Sequence, residues 1–345
     1  MKYDQRGALP VTVLILLLIV VGAIGFLGYR ITQSEETETS VTRTPFTFTA
    51  GGDWDSNTNT DAVLRAIPTE TSDFTLALGD LGYIGPNGEE QQWCTFVRDR
   101  VGPTHPFVLL VGNHDDADGD GDIREYIECL PNQIEGVTGE YGIEFYFDFN
   151  NLARFIFVSP DIDMFGYDYS EGSEHYEWVR STINEARDEG LPWVFLSMHK
   201  NCLTPGVKPC EVGQDIIDLA LEMNVDLILQ GHEHAYYRTH QLAHSSDCPE
   251  LLINGFNEAC VIDAVNEFSK GQGTVTVISG AAGKALRESN PEDPEFEYFS
   301  AINALNNENT YGFSQIYVSE DQVVVDFVPA VGEFEERFTI TSDTE

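Results

Sequence analysis

Positive charge is what this chain most lacks. Against 58 aspartates and glutamates it carries 18 lysines and arginines, only five of them lysines, for a formal net charge of −40 over 345 residues. A protein that grips nucleic-acid phosphates needs the opposite balance, so nucleic acid is not an expected partner. What remains is a heavily solvated acidic surface, which by itself says nothing about chemistry. Internal repeats are absent, and none of the six cysteines forms a Cys-x-x-Cys pair.

The one long apolar run spans residues 9–27, close to the ~20 residues that cross a bilayer. Lys2 and Arg6 precede it and an acidic, threonine-rich stretch follows, which predicts an inside N-terminus and an outside remainder. The competing reading is a cleaved signal peptide, whose apolar core is usually about 7–15 residues; Val21-Gly22-Ala23 is a weak cleavage site. The expected organisation is a retained anchor over residues 1–30, a disordered acidic linker over 31–44 and a catalytic body over 45–345. That places the protein in the cell membrane, single-pass with the body outside, or secreted if the segment is cleaved. Export suits disulfides. Local spacing favours Cys202–Cys210 and Cys248–Cys260, which leaves Cys94–Cys129.

Strands and helices alternate from Pro45 onward. Helices are predicted over residues 57–67, 89–100, 173–189 and 212–223. The third is the clearest, with Ser173 as N-cap, Tyr176, Val179, Ile183 and Ala186 at helical spacing, and Gly190-Leu191-Pro192 as its stop. Residues 144–150 and 153–159 read as a hairpin turning at Asn150-Asn151. The C-terminus reads as an antiparallel meander over 314–318, 322–328 and 333–340. Residues 281–309 are polar and irregular and fit no element.

Five short polar motifs carry the chemistry: Gly52-Asp53-Trp54-Asp55, Gly79-Asp80-Leu81-Gly82-Tyr83, Gly112-Asn113-His114-Asp115, Met198-His199 and Gly231-His232-Glu233-His234. Each follows an apolar, β-prone run, and strand ends in α/β sheets are where ligand sites gather. Carboxylate, amide, phenol and imidazole are the donors that divalent and trivalent first-row metals prefer, so the set looks like the shell of a two-metal hydrolytic centre.

In order and content these motifs resemble the calcineurin-like metallophosphoesterases, and within them the purple acid phosphatase branch. Residues 79–83 match the GDxxY element, 112–115 match GNHD and 231–234 match GHxH, with His199 between the last two; the resemblance covers most of residues 46–340. It implies an α/β (α+β) fold, a four-layer sandwich of two mixed β-sheets flanked by helices, to which the N-terminal transmembrane helix would be added. It also implies that Asp80 bridges two metals, that Asp53, Tyr83 and His234 complete the first site, and that Asn113, His199 and His232 complete the second. A tyrosine ligand implies Fe(III) first, with Zn, Fe or Mn second. A metal-held hydroxide would attack phosphorus in line with the leaving oxygen. His114 would protonate the leaving alkoxide, with Asp115 orienting its ring.

The first motif departs from the family, which has Asp-x-His in most branches and Asp-x-Gly in the purple branch. Asp55 is therefore an added candidate ligand, weighed against a hydrogen-bonding or solvent-facing role. Asp116, Asp118, Asp120 and Asp122, with Gly121 and Ile123, resemble the start of an EF-hand calcium loop, but position twelve is Ile127 rather than Glu; an acidic solvated turn is the favoured alternative. His105, His175, His240 and His244 read as satisfied structural groups, and Arg238 stays outside the catalytic set. The expected function is an exported, membrane-anchored phosphomonoesterase acting on a small phosphoester. The rivals are a phosphodiesterase or nucleotidase on the same scaffold, and a non-catalytic surface protein with structural metals.

Overall fold

The structure, a computed structural model, describes residue 13 and residues 42–83, 90–117 and 120–342. Among the described residues no helix is long and apolar enough to cross a membrane. The run expected to do so lies, but for one residue, outside them, as does most of the expected linker.

The elements in chain order are β1 (Phe46–Gly51), α1 (Thr58–Ala66), β2 (Phe74–Leu78), α2 (Glu90–Val101), β3 (Phe107–Leu110), α3 (Ile123–Cys129), β4 (Thr138–Glu140), β5 (Glu144–Phe149), β6 (Ala153–Phe157), α4 (Glu174–Asp188), β7 (Trp193–Met198), α5 (Gln214–Glu222), β8 (Leu227–Gln230), β9 (Tyr236–Thr239), β10 (Gln241–Leu242), β11 (Val261–Asp263), β12 (Glu267–Ser269), β13 (Val275–Ser279), β14 (Phe299–Asn303), β15 (Tyr311–Val318), β16 (Gln322–Val331) and β17 (Glu336–Thr341). Two mixed sheets result, in the orders β12-β17-β16-β15-β1-β2-β3 and β14-β9-β13-β8-β7-β6-β5-β4, with β10 and β11 as a separate ribbon.

Period-two alternation sorts the strand side chains between faces. Phe46, Phe48, Phe74, Leu76, Phe155, Phe195 and Val277 meet in one core between the two sheets. The opposite faces of β7 and β8 pack against Val179 and Ile183 of α4 and Ile216 of α5. The outer face of the other sheet packs on Val63 and Leu64 of α1, Trp93 and Val97 of α2, and Tyr126 of α3. The layers are thus helix, sheet, sheet, helix.

Local chemistry sets the boundaries. Asn57 caps α1 by accepting from the Asn59 and Thr60 N–H groups, and Ser173 caps α4 by accepting from Tyr176. α4 ends in a Schellman turn: Gly190 sits at φ 74°, and the Gly190 and Leu191 N–H groups donate to Arg187 and Ala186. Asn150 and Asn151, at φ 53° and 55°, make the tight turn between antiparallel β5 and β6. The predicted pairing of all six cysteines is present.

One helix was not anticipated. α3 begins within the stretch of the calcium-loop reading, because the Asp122 carboxylate caps it by accepting from the Arg124 N–H. Residues 280–298 form no ladder; their first part is bonded to the loops at the strand ends, Lys284 N–H to the Asp53 carbonyl and Arg287 N–H to that of His234, and their last part closes local turns.

Candidate metal centre

Both sheets contain a parallel block: β1, β2 and β3 in one, and β6, β7, β8 and β13 in the other. Asp53, Asp80 and Asn113 leave the C-terminal ends of the first block, and His199, His232 and His234 those of β7 and β8. The two ends are stitched together: Gly52 N–H donates to the Ser279 carbonyl at 2.9 Å, and His232 N–H to Asp53 Oδ2 at 2.8 Å. The turns are sharp. Asp53, Asp80, Tyr83 and His232 have φ of 59°, 52°, 47° and 71°, a left-handed conformation that is uncommon for tyrosine and histidine and concentrates at functional sites. Gly79 and Gly112 let the turns approach, since a Cβ on Gly79 would lie 2.5 Å from His199 Nδ1.

The donor atoms fall into two groups that share Asp80: Asp80, His199 and His232, and Asp53, Asp80 and His234. Asp80 Oδ1 faces His199 Nε2 at 3.1 Å, while Oδ2 accepts from the Tyr83 hydroxyl at 2.8 Å. That hydroxyl lies 3.0 Å from Asp53 Oδ1 and 3.1 Å from His234 Nε2. The outer ring nitrogens are anchored, His199 Nδ1–H on the Leu78 carbonyl at 2.7 Å and His234 Nδ1–H on that of Ala285 at 2.9 Å, so each Nε2 turns inward. Tyr83 therefore joins the first group. Asn113 Oδ1 is buried beside the cluster without a hydrogen-bond donor.

The electrostatics are those of a donor set that fits cations. Asp53 and Asp80 are almost fully buried. Burial pushes the Asp53 carboxyl up to about 7, with His199 opposing and Asp80 reinforcing. Burial also works against ionising Asp80, but His199 and His114 outweigh it and hold the group below the usual range. Burial pushes the His232 and His234 rings down, to about 4 and about 3, so both are neutral lone-pair donors at pH 7. Burial pushes the His199 ring down, but Asp80 and Asp53 outweigh it and raise it to about 9, so a cation bound there takes the place of its proton. With that exchange, lone pairs and negative charge converge on Asp80 from both sides, and an orphaned amide oxygen adds to them, which suits two metal ions.

Two expectations are corrected. Asp115 does not orient the His114 ring. Its oxygens accept from the Leu81 and Gly112 N–H groups, both at 2.9 Å, which ties two ligand turns together. Asp120 takes His114 Nδ1 instead, at 2.5 Å; of the other acidic residues in that turn, Asp122 caps α3 and Asp118 lies outside the described residues. Asp55 belongs to neither donor group. Its carboxylate pairs with Lys284 Nζ at 3.4 Å, and that ammonium rests 3.6 Å from the centre of the Tyr83 ring. Arg238 is buried against Glu336, far from a substrate role. His105, His175 and His244 bond to Thr75, Glu144 and Asp218, whereas His240 Nδ1 is buried without a partner.

Sequence reasoning missed Glu211, whose Oε2 contacts His232 Nε2, and Lys284. Glu211 lies 12 residues past His199 in an irregular loop, and no short motif marks such a residue. Its position beside Cys210 was the available signal.

The chain matches the profile of the Calcineurin-like phosphoesterase family over residues 47–236. It is 25% identical over 263 residues to "Probable inactive purple acid phosphatase 27" of Arabidopsis thaliana, covering 70% of this chain and 39% of that protein. It is 24% identical over 232 residues to "Probable purple acid phosphatase 20" of the same plant, covering 61% and 50%. The chain thus spans half or less of the length of these curated relatives. Among solved structures, the purple acid phosphatase PPD1 from yellow lupin (Lupinus luteus) superposes with a TM-score of 0.63 at 18% identity, covering 87% of this chain and 54% of that one, which shows a shared fold. With the matched profile spanning more than half of its residues, this chain belongs to the calcineurin-like phosphoesterase family, with its affinities on the purple acid phosphatase side.

Proposed function

We propose that this chain is a dinuclear-metal phosphoesterase that hydrolyses phosphomonoesters in the manner of an acid phosphatase. The observation that carries the reading is Asp80, whose two carboxylate oxygens face two separate donor groups. Asp53, Tyr83 and His234 would hold one metal with Asp80, and Asn113, His199 and His232 the other. When bound, such a pair supplies an activated water and polarises phosphate oxygens; a phenol among the donors favours Fe(III) in the first site, with Zn, Fe or Mn in the second.

The chain's own residues do the rest. His114 stands at the mouth, its side chain about a third exposed and its Nε2 3.9 Å from Asp80 Oδ2. Asp120 holds Nδ1, which leaves Nε2 as the ring atom turned toward the centre, placed to pass a proton to a departing alkoxide. Three of the five lysines stand around the centre: Lys284 over Tyr83, and Lys200 and Lys208 about Glu211. In so acidic a chain that is a local welcome for a phosphate. A cavity of about 560 Å³ shares Glu211 with the centre, and its other charged lining groups, Asp161, Asp163, Asp168 and Asp215, are all acidic. A leaving group with further phosphates would be repelled there, which favours a small monoester over a nucleotide.

The same reading has the domain exported and held at the cell membrane by residues 9–27. It is supported by the length of that run and by six cysteines paired as three disulfides; protease digestion of intact cells would remove the domain if it is right and spare it if it is wrong.

The test of function is metal content and the visible spectrum measured beside hydrolysis of p-nitrophenyl phosphate and an alkyl phosphate. Two metals per chain with turnover is expected. His114→Ala should keep both metals and lose roughly 10²–10⁴-fold in turnover of the alkyl ester. Two metals without hydrolysis of any phosphoester would instead favour a non-catalytic metal protein.

A further inference from the structure

We propose that Glu211 is a positioning residue for the metal ligand His232, delivered to it by the loop that the Cys202–Cys210 disulfide closes. The inference rests on the two-metal reading and concerns how this chain builds its second site.

The loop is fastened to both ligand-bearing turns. It leaves His199, is closed between Cys202 and Cys210, and returns with Glu211 as the next residue. Glu211 N–H donates to the Asn201 carbonyl at 2.9 Å, and the buried Asn201 amide donates to the Gly231 carbonyl at 3.1 Å. From the other side, Glu233 Oε1 accepts from the Val207 and Lys208 N–H groups, each at 2.7 Å. Glu233 lies between His232 and His234, so the disulfide loop and the two-histidine turn hold each other. The outcome is a carboxylate against His232 Nε2, with Lys200 and Lys208 about 4 Å from its oxygens on the other side.

An imidazole has two nitrogens, and a metal-binding histidine uses one for the metal and the other to fix its tautomer. His232 Nε2 is taken by Glu211. The nitrogen left to join Asp80 and His199 is Nδ1. His199 and His234 are anchored differently, each through Nδ1–H on a neutral backbone carbonyl. His232 alone of the three is anchored on a charged acceptor, which makes its ring a stronger donor. The need for one is visible in the donor count. The first group holds two carboxylates, Asp53 and Asp80, while the second holds only the shared Asp80. Glu211 brings a second negative charge to that site without occupying a coordination position.

The experiment is titration of Zn²⁺ into the metal-stripped full chain, wild type and Glu211→Gln, followed by calorimetry and by metal analysis after dialysis. Glu211→Gln is expected to keep one Zn²⁺ as tightly as wild type and to bind the other roughly 10–100-fold more weakly, with unchanged melting of the metal-free chain. The double variant Cys202→Ser/Cys210→Ser should weaken the same single site by a smaller factor, and Glu211→Asp should recover part of the loss. Equal titrations of wild type and Glu211→Gln would overturn the assignment. So would weakening of both sites together, or a fall in metal-free melting that accounts for the loss. Wild-type uptake of fewer than two equivalents would instead sink the two-metal reading, and this inference with it.

Discussion

Two substitutions of similar size, 57 residues apart in sequence, are expected to behave oppositely. A Cβ on Gly112 would lie 2.2 Å from Asp80 Oδ1 and 2.3 Å from Asp80 N. Neither can give way. The nitrogen is main chain, and Oδ1 is held by the His114 N–H at 2.9 Å. Gly112→Ala must therefore displace the one carboxylate that both donor groups share. The expected cost is that of overpacking, about 1–3 kcal/mol, with weaker uptake of both metals. Asp55→Asn removes a carboxylate that the family pattern left open as a ligand. Here it is about a quarter exposed and paired with a lysine, so roughly 0–1 kcal/mol is at stake and metal content should not change. Thermal melting and metal analysis of the two variants decide: metal loss from Asp55→Asn with none from Gly112→Ala would reverse the roles assigned to the two residues.

At the scale of elements, legibility followed from how local the determining physics is. The strands before the five motifs, the cap of α4, and the Asn150-Asn151 turn were readable because each depends on a few adjacent residues. The four-layer arrangement came from the family resemblance, since no local signal encodes sheet order. Residues 281–309 were unreadable for a physical reason: the Ala282, Lys284 and Arg287 N–H groups bond to ligand turns far away in sequence, which leaves no period, and the short β14 within them pairs only with distant β9. α3 was hidden because the same Asp122 can cap a helix or stand seventh in a calcium loop. A satisfied structural histidine, by contrast, was read correctly at His105, and it makes a prediction about the corner before β3. His105 Nε2 bonds Thr75 Oγ1 of β2 at 2.8 Å, and Thr75 bonds Thr49 of β1 at 2.7 Å. Burial pushes the ring down to about 4, with Asp73 opposing. The unfolded chain, with an ordinary histidine near 6.5, takes up this proton first as pH falls. The contribution is complete above pH ~6.5, is lost between there and pH ~4, and is flat below, a loss of at most about 3 kcal/mol. The metal-free His105→Gln variant should melt with a shallower pH dependence than wild type across that window, and parallel curves would refute the mechanism.

At the scale of the molecule, the centre is also a joint. Asp53, Asp80 and Asn113 come from the seven-stranded sheet and His199, His232 and His234 from the eight-stranded one, so a bound metal pair ties the sheets together at the end where carboxylates crowd. Without cations that end sets two buried carboxylates against each other in a chain already carrying −40. Ions that bind only the folded state stabilise it by mass action, by about 2.7 kcal/mol per site at a free concentration 100 times Kd. A kilocalorie moves the melting point of a chain of this size by roughly 2 °C. Chelation should thus lower Tm by about 5–10 °C, and Zn²⁺ should restore it. Self-repulsion adds a second signature, because salt screens exposed charges within a Debye length of about 10 Å at 0.1 M. The metal-free chain should gain more in Tm from added NaCl than the metal-loaded chain, since it lacks the cations that neutralise the joint from within. A Tm indifferent to chelation would mean that the donor groups do not hold ions in the folded protein. Equal salt gains with and without metal would mean that the repulsion lies in the surface alone and not at the junction of the sheets.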